Sequence, residues 1–158
     1  MTSGKKPLIS NLARARLVAI ALMLTVLGAC ASGPGYSEVS DTIQTAAKAE
    51  GRIYFYRPSS AGFAIQPMVR IDNEPVGKAK PKGFFYVDLA PGNYEISTKT
   101  EAKRNLSIAL SAGEEKYVRL EMKMGLFAGH VKPVLVDELQ GKKQLAKTSY
   151  APMADPER

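Results

Sequence analysis

Residues 116–124 read KYVRLEMKM, and the alternation is unbroken. Val118, Leu120, Met122 and Met124 fall on one side of an extended chain, and Tyr117, Arg119, Glu121 and Lys123 on the other. A period of two belongs to a strand; apolar residues of a helix recur at three and four. A strand cannot stand alone. Its edge N–H and C=O groups need neighbours, and its apolar side needs a second layer. The chain must therefore supply more strands, with turns to join them.

The candidates follow from the same period. In Arg52–Arg57 (RIYFYR), Ile53 and Phe55 point one way and Tyr54 and Tyr56 the other. With both sides apolar or aromatic, this strand is expected at the centre of a sheet. Pro67–Ile71 is a second strand, closed by the tight-turn signal Asp72-Asn73-Glu74-Pro75. Val76–Lys80 follows as an edge strand, given its lysines and flanking prolines. In Phe84–Leu89, the residues Phe85, Val87 and Leu89 alternate with Phe84, Tyr86 and Asp88. Tyr94–Thr100 and Asn105–Leu110 lie between the turns Ala90-Pro91-Gly92-Asn93 and Ser111-Ala112-Gly113-Glu114. Val131–Val136 is the last strand, and Pro133 puts it at an edge or a bulge. Asp137–Lys147 reads as a short amphipathic helix carrying Leu139 and Leu145, interrupted by Gly141. A further short helix is expected over Thr42–Glu50, capped by Ser40 or Asp41 and stopped by Gly51. Roughly seven or eight short strands with turns between them predict a mainly β protein, an antiparallel β-sandwich with one wet face and a short C-terminal helix.

The N-terminal segment obeys different rules. Leu17–Val26 is an apolar run of ten residues behind Lys5, Lys6, Arg14 and Arg16. Crossing a bilayer takes about 20 apolar residues, so this run is too short to span and fits the helical core of a signal peptide. It ends in Leu27-Gly28-Ala29-Cys30, which holds the only cysteine of the chain. The segment resembles a bacterial lipoprotein signal peptide with its lipobox. That resemblance implies recognition of Leu27, Gly28 and Ala29 by the signal peptidase and cleavage before Cys30. It also implies a thioether-linked diacylglycerol on Cys30 and an acyl chain on the new amine. Two or three acyl chains anchor firmly where one holds only marginally. Ala31, in place of an aspartate after the cysteine, implies the inner leaflet of the outer membrane, facing the periplasm. The alternative is an uncleaved anchor, or an ordinary signal peptide with a chance cysteine.

This reading divides the chain into a signal peptide (1–29), a lipidated cysteine and tether (30–50), a sandwich (51–147) and a flexible tail (148–158). It also corrects the charge. The formal net charge is +7, but four of the 22 basic residues lie in the first 29 positions and no acid does. The remaining 129 residues carry 18 basic and 15 acidic side chains, a net of +3. Nucleic-acid binding is not expected of so balanced a surface. A single cysteine leaves no internal disulfide, and lipidation would remove an exported free thiol.

Three stretches carry a second resemblance: Gly51–Pro58 (GRIYFYRP), Val69–Gly77 (VRIDNEPVG) and Phe84–Tyr94 (FFYVDLAPGNY). Over about residues 50 to 147 the chain resembles DUF2846, a family of small bacterial lipoproteins of unknown function. The Pro91-Gly92-Asn93-Tyr94 corner resembles that of transthyretin-like and other immunoglobulin-like sandwiches. There the turn drops a tyrosine ring onto the adjoining sheet. Neither resemblance implies an activity.

Catalysis needs a nucleophile, a base and an orienting group. His130 is the only histidine, Ser59 and Ser60 lack a nucleophile elbow, and Asp88, Asp137 and Glu138 lack a recognisable partner pattern. A hydrolase would need His130 joined to a carboxylate such as Asp137 or Asp88. No metal-ligand spacing appears, and no cofactor is expected beyond the covalent lipid on Cys30. Lys78, Lys80 and Lys82 share one face of an extended strand, either to meet anionic head groups or acidic wall polymer, or to guard an edge. Tyr54, Tyr56, Phe84 and Tyr86 form either a glycan- or peptide-binding platform or sandwich core. Leu126 and Phe127, in the loop Gly125–Gly129, either dock a partner or membrane or fold beneath the rim. The expected function is non-enzymatic: binding or scaffolding at the envelope, through the lipid and an unknown envelope protein or glycan.

Overall fold

The computed structural model describes residues 33–100, 102–125 and 129–152. Nine strands occur in chain order: β1 (Gly51–Tyr56), β2 (Met68–Ile71), β3 (Glu74–Lys78), β4 (Gly83–Leu89), β5 (Gly92–Lys99), β6 (Lys103–Leu110), β7 (Glu115–Met124), β8 (Gly129–Val136) and β9 (Ser149–Tyr150). Helix α1 (Tyr36–Val39) precedes them, and α2 (Glu138–Leu145) lies between β8 and β9. One sheet has the order β8-β7-β1-β4-β9 and the other β3-β2-β5-β6, which makes a mainly β sandwich. As expected, β1 is central and β3 and β8 are edges.

Between the sheets lies the main core. Ile53, Phe55, Val69, Phe85, Ile96, Val118 and Leu120 are all buried there, and Phe55 stacks on Phe85 at 5.0 Å between ring centroids. The β2–β3 hairpin turns on Asp72 (φ 49°) and Asn73 (φ 73°). Two consecutive positive φ angles are what a two-residue hairpin loop requires, and Asp and Asn tolerate them.

Several expectations are corrected. The larger sheet is mixed: β1 pairs antiparallel with β4 but parallel with β7, and β4 pairs parallel with β9. The reason is the path of the chain. The turn after β6 carries it from the second sheet to the end where β1 begins, so β7 runs alongside β1 in the same direction. The outer face of this sheet is not wet. Tyr54, Tyr56, Phe84, Tyr117 and Leu145 are buried there as a second core, with Tyr36, Val39 and Ile43 packed against them. Gly141 does not interrupt α2. A Cβ there would lie 2.4 Å from Tyr117 Cγ, so glycine lets the helix sit on that ring.

The first helix forms at Tyr36–Val39 rather than over Thr42–Glu50. Alanine propensity in 42–50 is outweighed because Tyr36 and Val39 have an aromatic face to cover. The sandwich boundaries at 51 and 147 also move outward. Tyr36 N donates to Thr148 O at 2.9 Å, Tyr150 N to Pro34 O at 2.8 Å and Ser149 N to Lys82 O at 2.8 Å. Residues 34–43 of the expected tether and 148–151 of the expected tail therefore belong to the fold. No described helix is long and apolar enough to cross a membrane.

The end of the sandwich where β1 stops, here the upper end, is tied together by Arg57. Its guanidinium is fully buried and donates to the carbonyls of Ile65 (2.6 Å), Ala79 (2.9 Å), Gly62 (2.9 Å) and Ala61. One side chain thus joins the end of β1, the 58–67 loop and the segment after β3. Thr98 Oγ1 donates to Val131 O at 2.6 Å, bringing the top of β5 to the same end.

Candidate functional site

Asp137 is the N-cap of α2, accepting from Gln140 N at 2.8 Å. His130 pairs with Lys123 near the start of β8, whereas Val136, just before Asp137, pairs with Tyr117 at its other end. Seven residue steps along the strand separate His130 from Asp137, about 23 Å at the usual rise. Asp88 lies opposite Arg52, whose other neighbour is Glu115 at the lower end of β7. The structure therefore does not bring His130 together with either carboxylate. Among the described residues no three His, Cys, Asp or Glu side chains are grouped to hold a metal.

The Arg52–Asp88 pair was not foreseen, because it exists only in the β1–β4 register. Arg52 Nε donates to Asp88 Oδ1 at 2.6 Å and Nη2 to Oδ2 at 2.7 Å. The guanidinium carbon lies 4.2 Å from the Tyr86 ring centroid. The hydrogen bonds to Asp88 push the Arg52 guanidinium further up, so it stays charged. Beside it Tyr54 stacks on Tyr117 at 5.3 Å, and Tyr117 Oη donates to Glu115 Oε2 at 2.6 Å. Burial pushes the Tyr54 and Tyr117 phenols up, and Tyr56, which donates to Gln144 Oε1 at 3.0 Å, up to about 12. These are packed, neutral side chains. Tyr54, Tyr56 and Phe84 do not present a ligand platform; half-buried Tyr86 lines a groove of about 140 Å³ with Val39, Thr42, Ile43 and Tyr150.

The lower end carries an open trough of about 740 Å³ lined by Glu114, Glu115, Asp137 and Glu138 with Lys116, Tyr117 and Leu135. Lys116 Nζ lies 2.7 Å from Glu114 Oε1, and Lys142 Nζ 2.5 Å from Glu138 Oε1. The Lys116 contact and the Ser111 amide hold the Glu114 carboxyl below its usual range.

The lysines occupy the opposite end. Lys78 closes β3, where it pairs with Met68. The strand does not continue through Lys80 and Lys82 as expected. Lys80 N turns back to Lys78 O at 2.8 Å, and Lys82 takes a left-handed φ of 56°. Lys78 and Lys82 are exposed and Lys80 is half-buried. Phe63, in the loop held by Arg57, is 52% exposed, and Met124, at the end of β7, is 83% exposed. Leu126 and Phe127 lie outside the described residues, as do Leu27, Gly28, Ala29 and Cys30.

This architecture can be set beside known proteins. The family described as "Protein of unknown function (DUF2846)" matches residues 47–133. The chain belongs to the DUF2846 family. It is also 33% identical over 144 residues to an uncharacterized protein of Haemophilus influenzae, covering 88% of this chain and 84% of that protein. No solved structure matches. The DUF2846 match spans β1 to the middle of β8, so α1, α2 and β9, which cover the outer aromatic face, lie outside it.

Proposed function

We propose that this DUF2846 protein is a lipid-anchored envelope module that binds or scaffolds and catalyses nothing, held against the membrane on a short leash. The supporting observation is the docking of Pro34–Tyr36 onto Thr148–Tyr150. Counted from Cys30, a leash through position 50 would be twenty residues long. With residues 34–43 packed on the sheet, three residue steps separate Cys30 from Gly33. At about 3.5 Å per residue they reach roughly 10 Å. A domain so held works at the membrane surface, here the periplasmic face of the outer membrane, and not across a wide gap. Its partner is an envelope protein or glycan.

The test is direct. Wild-type protein from membranes should begin at an acylated Cys30, and Cys30→Ser should accumulate as an unlipidated precursor retaining residues 1–29, both read by mass spectrometry. A cleaved variant together with an unlipidated wild type overturns the anchor. Crosslinking in the intact envelope would identify the partner.

A further inference from the structure

The two ends of the sandwich differ in charge, and the chain enters at one of them. At the upper end Lys78, Lys80, Lys82 and Lys99 have no carboxylate partner among the described residues. Lys99 faces Lys103 across the top of the β5–β6 hairpin, and Lys103 pairs with Glu95 at 3.1 Å. Among the described residues, Glu121 at this end pairs with Arg119 and with Lys123 (2.7 Å), and Glu38 accepts from Gly35 N at 3.1 Å. At the lower end Asp72 and Glu74 by the β2–β3 turn and Asp137 at the cap of α2 have no basic partner among the described residues, while Asp88, Glu114 and Glu115 pair with Arg52, Lys116 and Lys142. The near-neutral total therefore hides a dipolar molecule.

Pro34 and Gly35 lie at the basic end. Gly35 bridges Ser149, Ser149 pairs with Gly83, and Ser149 N binds the carbonyl of Lys82. Exposed Phe63 and Met124 lie at this end too, and Phe63 sits in a loop fixed by the buried Arg57 rather than on a free coil. We infer that the upper end of the sandwich is a membrane-contact face, in which Lys78, Lys80, Lys82 and Lys99 meet anionic phospholipid head groups and Phe63 and Met124 enter the interface. The inference rests on the anchor reading only for what brings the domain to the bilayer. The face itself stands on charge, exposure and the position of the chain. Lysines near an anionic surface are attracted within about a Debye length, roughly 8–10 Å, which matches the leash. The acidic trough then points away from the membrane.

The protein is purified from membranes and the mass of its N-terminal peptide is read first. It is then placed with vesicles of phosphatidylcholine alone or mixed with phosphatidylglycerol. A fluorophore is attached through Phe63→Cys or, as the distal control, through exposed Ala112→Cys; a Cys30 whose sulfur carries the thioether-linked diacylglycerol does not label. Spin-labelled lipid should quench the Phe63 probe several-fold more than the Ala112 probe. The difference should need phosphatidylglycerol and shrink with salt. Replacing Lys78, Lys80 and Lys82 together by Glu should abolish it while circular dichroism stays unchanged. Equal quenching at the two ends, or quenching indifferent to anionic lipid, overturns the inference. So does binding of the lysine face to purified acidic wall polymer but not to the anionic vesicles. If the mass shows no acylation, the anchor reading fails by itself. Co-sedimentation of the same protein with the two vesicle types then decides the face: no preference for phosphatidylglycerol overturns it.

Discussion

Tyr36 meets Phe84 edge to face, ring centroids 5.3 Å apart and planes at 81°. It also meets Tyr54 at 6.3 Å in the same manner. Phe84 is the first side chain of β4 on the outer face, so one contact converts the expected tether into part of the domain. Tyr36→Ala removes both aromatic pairs and much of the cover of the second core. Because Tyr36 is only half-buried, the cost should be about 2 kcal/mol, below that of a fully buried aromatic. Hydrogen exchange at the Tyr150 amide, which binds Pro34 O, should quicken together with that of residues 35–43. Unchanged protection at Tyr150 would show that the docking does not depend on this ring.

Asp88 is the carboxylate that neutralises Arg52, a guanidinium only 4% exposed. Deleting one partner of such a pair costs more than the pair contributes, because the other charge stays desolvated. Asp88 is 27% exposed, so water can partly replace it. Asp88→Ala should lower stability by about 2–3 kcal/mol in urea unfolding. Asp88→Asn, which keeps one acceptor, should lose about half as much. The double variant Arg52→Leu/Asp88→Leu should recover most of the loss. If the double variant is as unstable as Asp88→Ala, the unpaired charge is not the cause.

Strands were legible wherever a run stayed long enough to repeat, as in Lys116–Met124, and turns wherever their residues are specialised, as in Asp72-Asn73. Direction was not legible, since alternation is the same whether β7 runs parallel or antiparallel to β1. Nor was cover: Tyr117, Arg119, Glu121 and Lys123 look like a solvated face, yet α2 buries Tyr117. A two-residue strand such as β9 has no period to detect. The lysine end was half legible. Its three lysines stand out, but Lys99, Phe63 and Met124 join them only through the sandwich topology.

Gly141 and Tyr117 set opposing effects against each other. In a free helix Gly→Ala stabilises by about 1 kcal/mol. Here the new Cβ would sit 2.4 Å from Cγ and 2.5 Å from Cβ of Tyr117, near the backbone end of a side chain that cannot swing away. Overpacking of this kind costs about 1–3 kcal/mol, so the net effect of Gly141→Ala should be destabilising by about 1 kcal/mol. Gly141→Ala in a Tyr117→Gly background, which removes both contacting atoms, should reverse sign and stabilise. Stabilisation by Gly141→Ala in the wild-type background would mean that α2 does not rest on this ring.

Burial of Tyr54, Tyr56 and Tyr117 makes the fold sensitive to alkali. Unfolded tyrosine loses its proton near pH 10, and these three lose theirs later because burial disfavours the phenolate. Below about pH 10 both states are protonated and the contribution is fully present. As pH rises further the unfolded chain releases protons that the folded chain keeps, so stability falls. For Tyr56 the fall runs from about 10 to about 12 and is worth roughly 2–3 kcal/mol. The other two, also raised by burial, add to the fall above about pH 10. Urea midpoints should therefore be flat from about pH 8 to 9.5 and drop sharply beyond, with a step in tyrosinate absorbance at the unfolding transition. Tyr56→Phe should start about 1 kcal/mol less stable, through loss of the Gln144 hydrogen bond, and should show a shallower decline. A decline as steep as that of the wild type would exclude Tyr56 as a source of the alkaline transition.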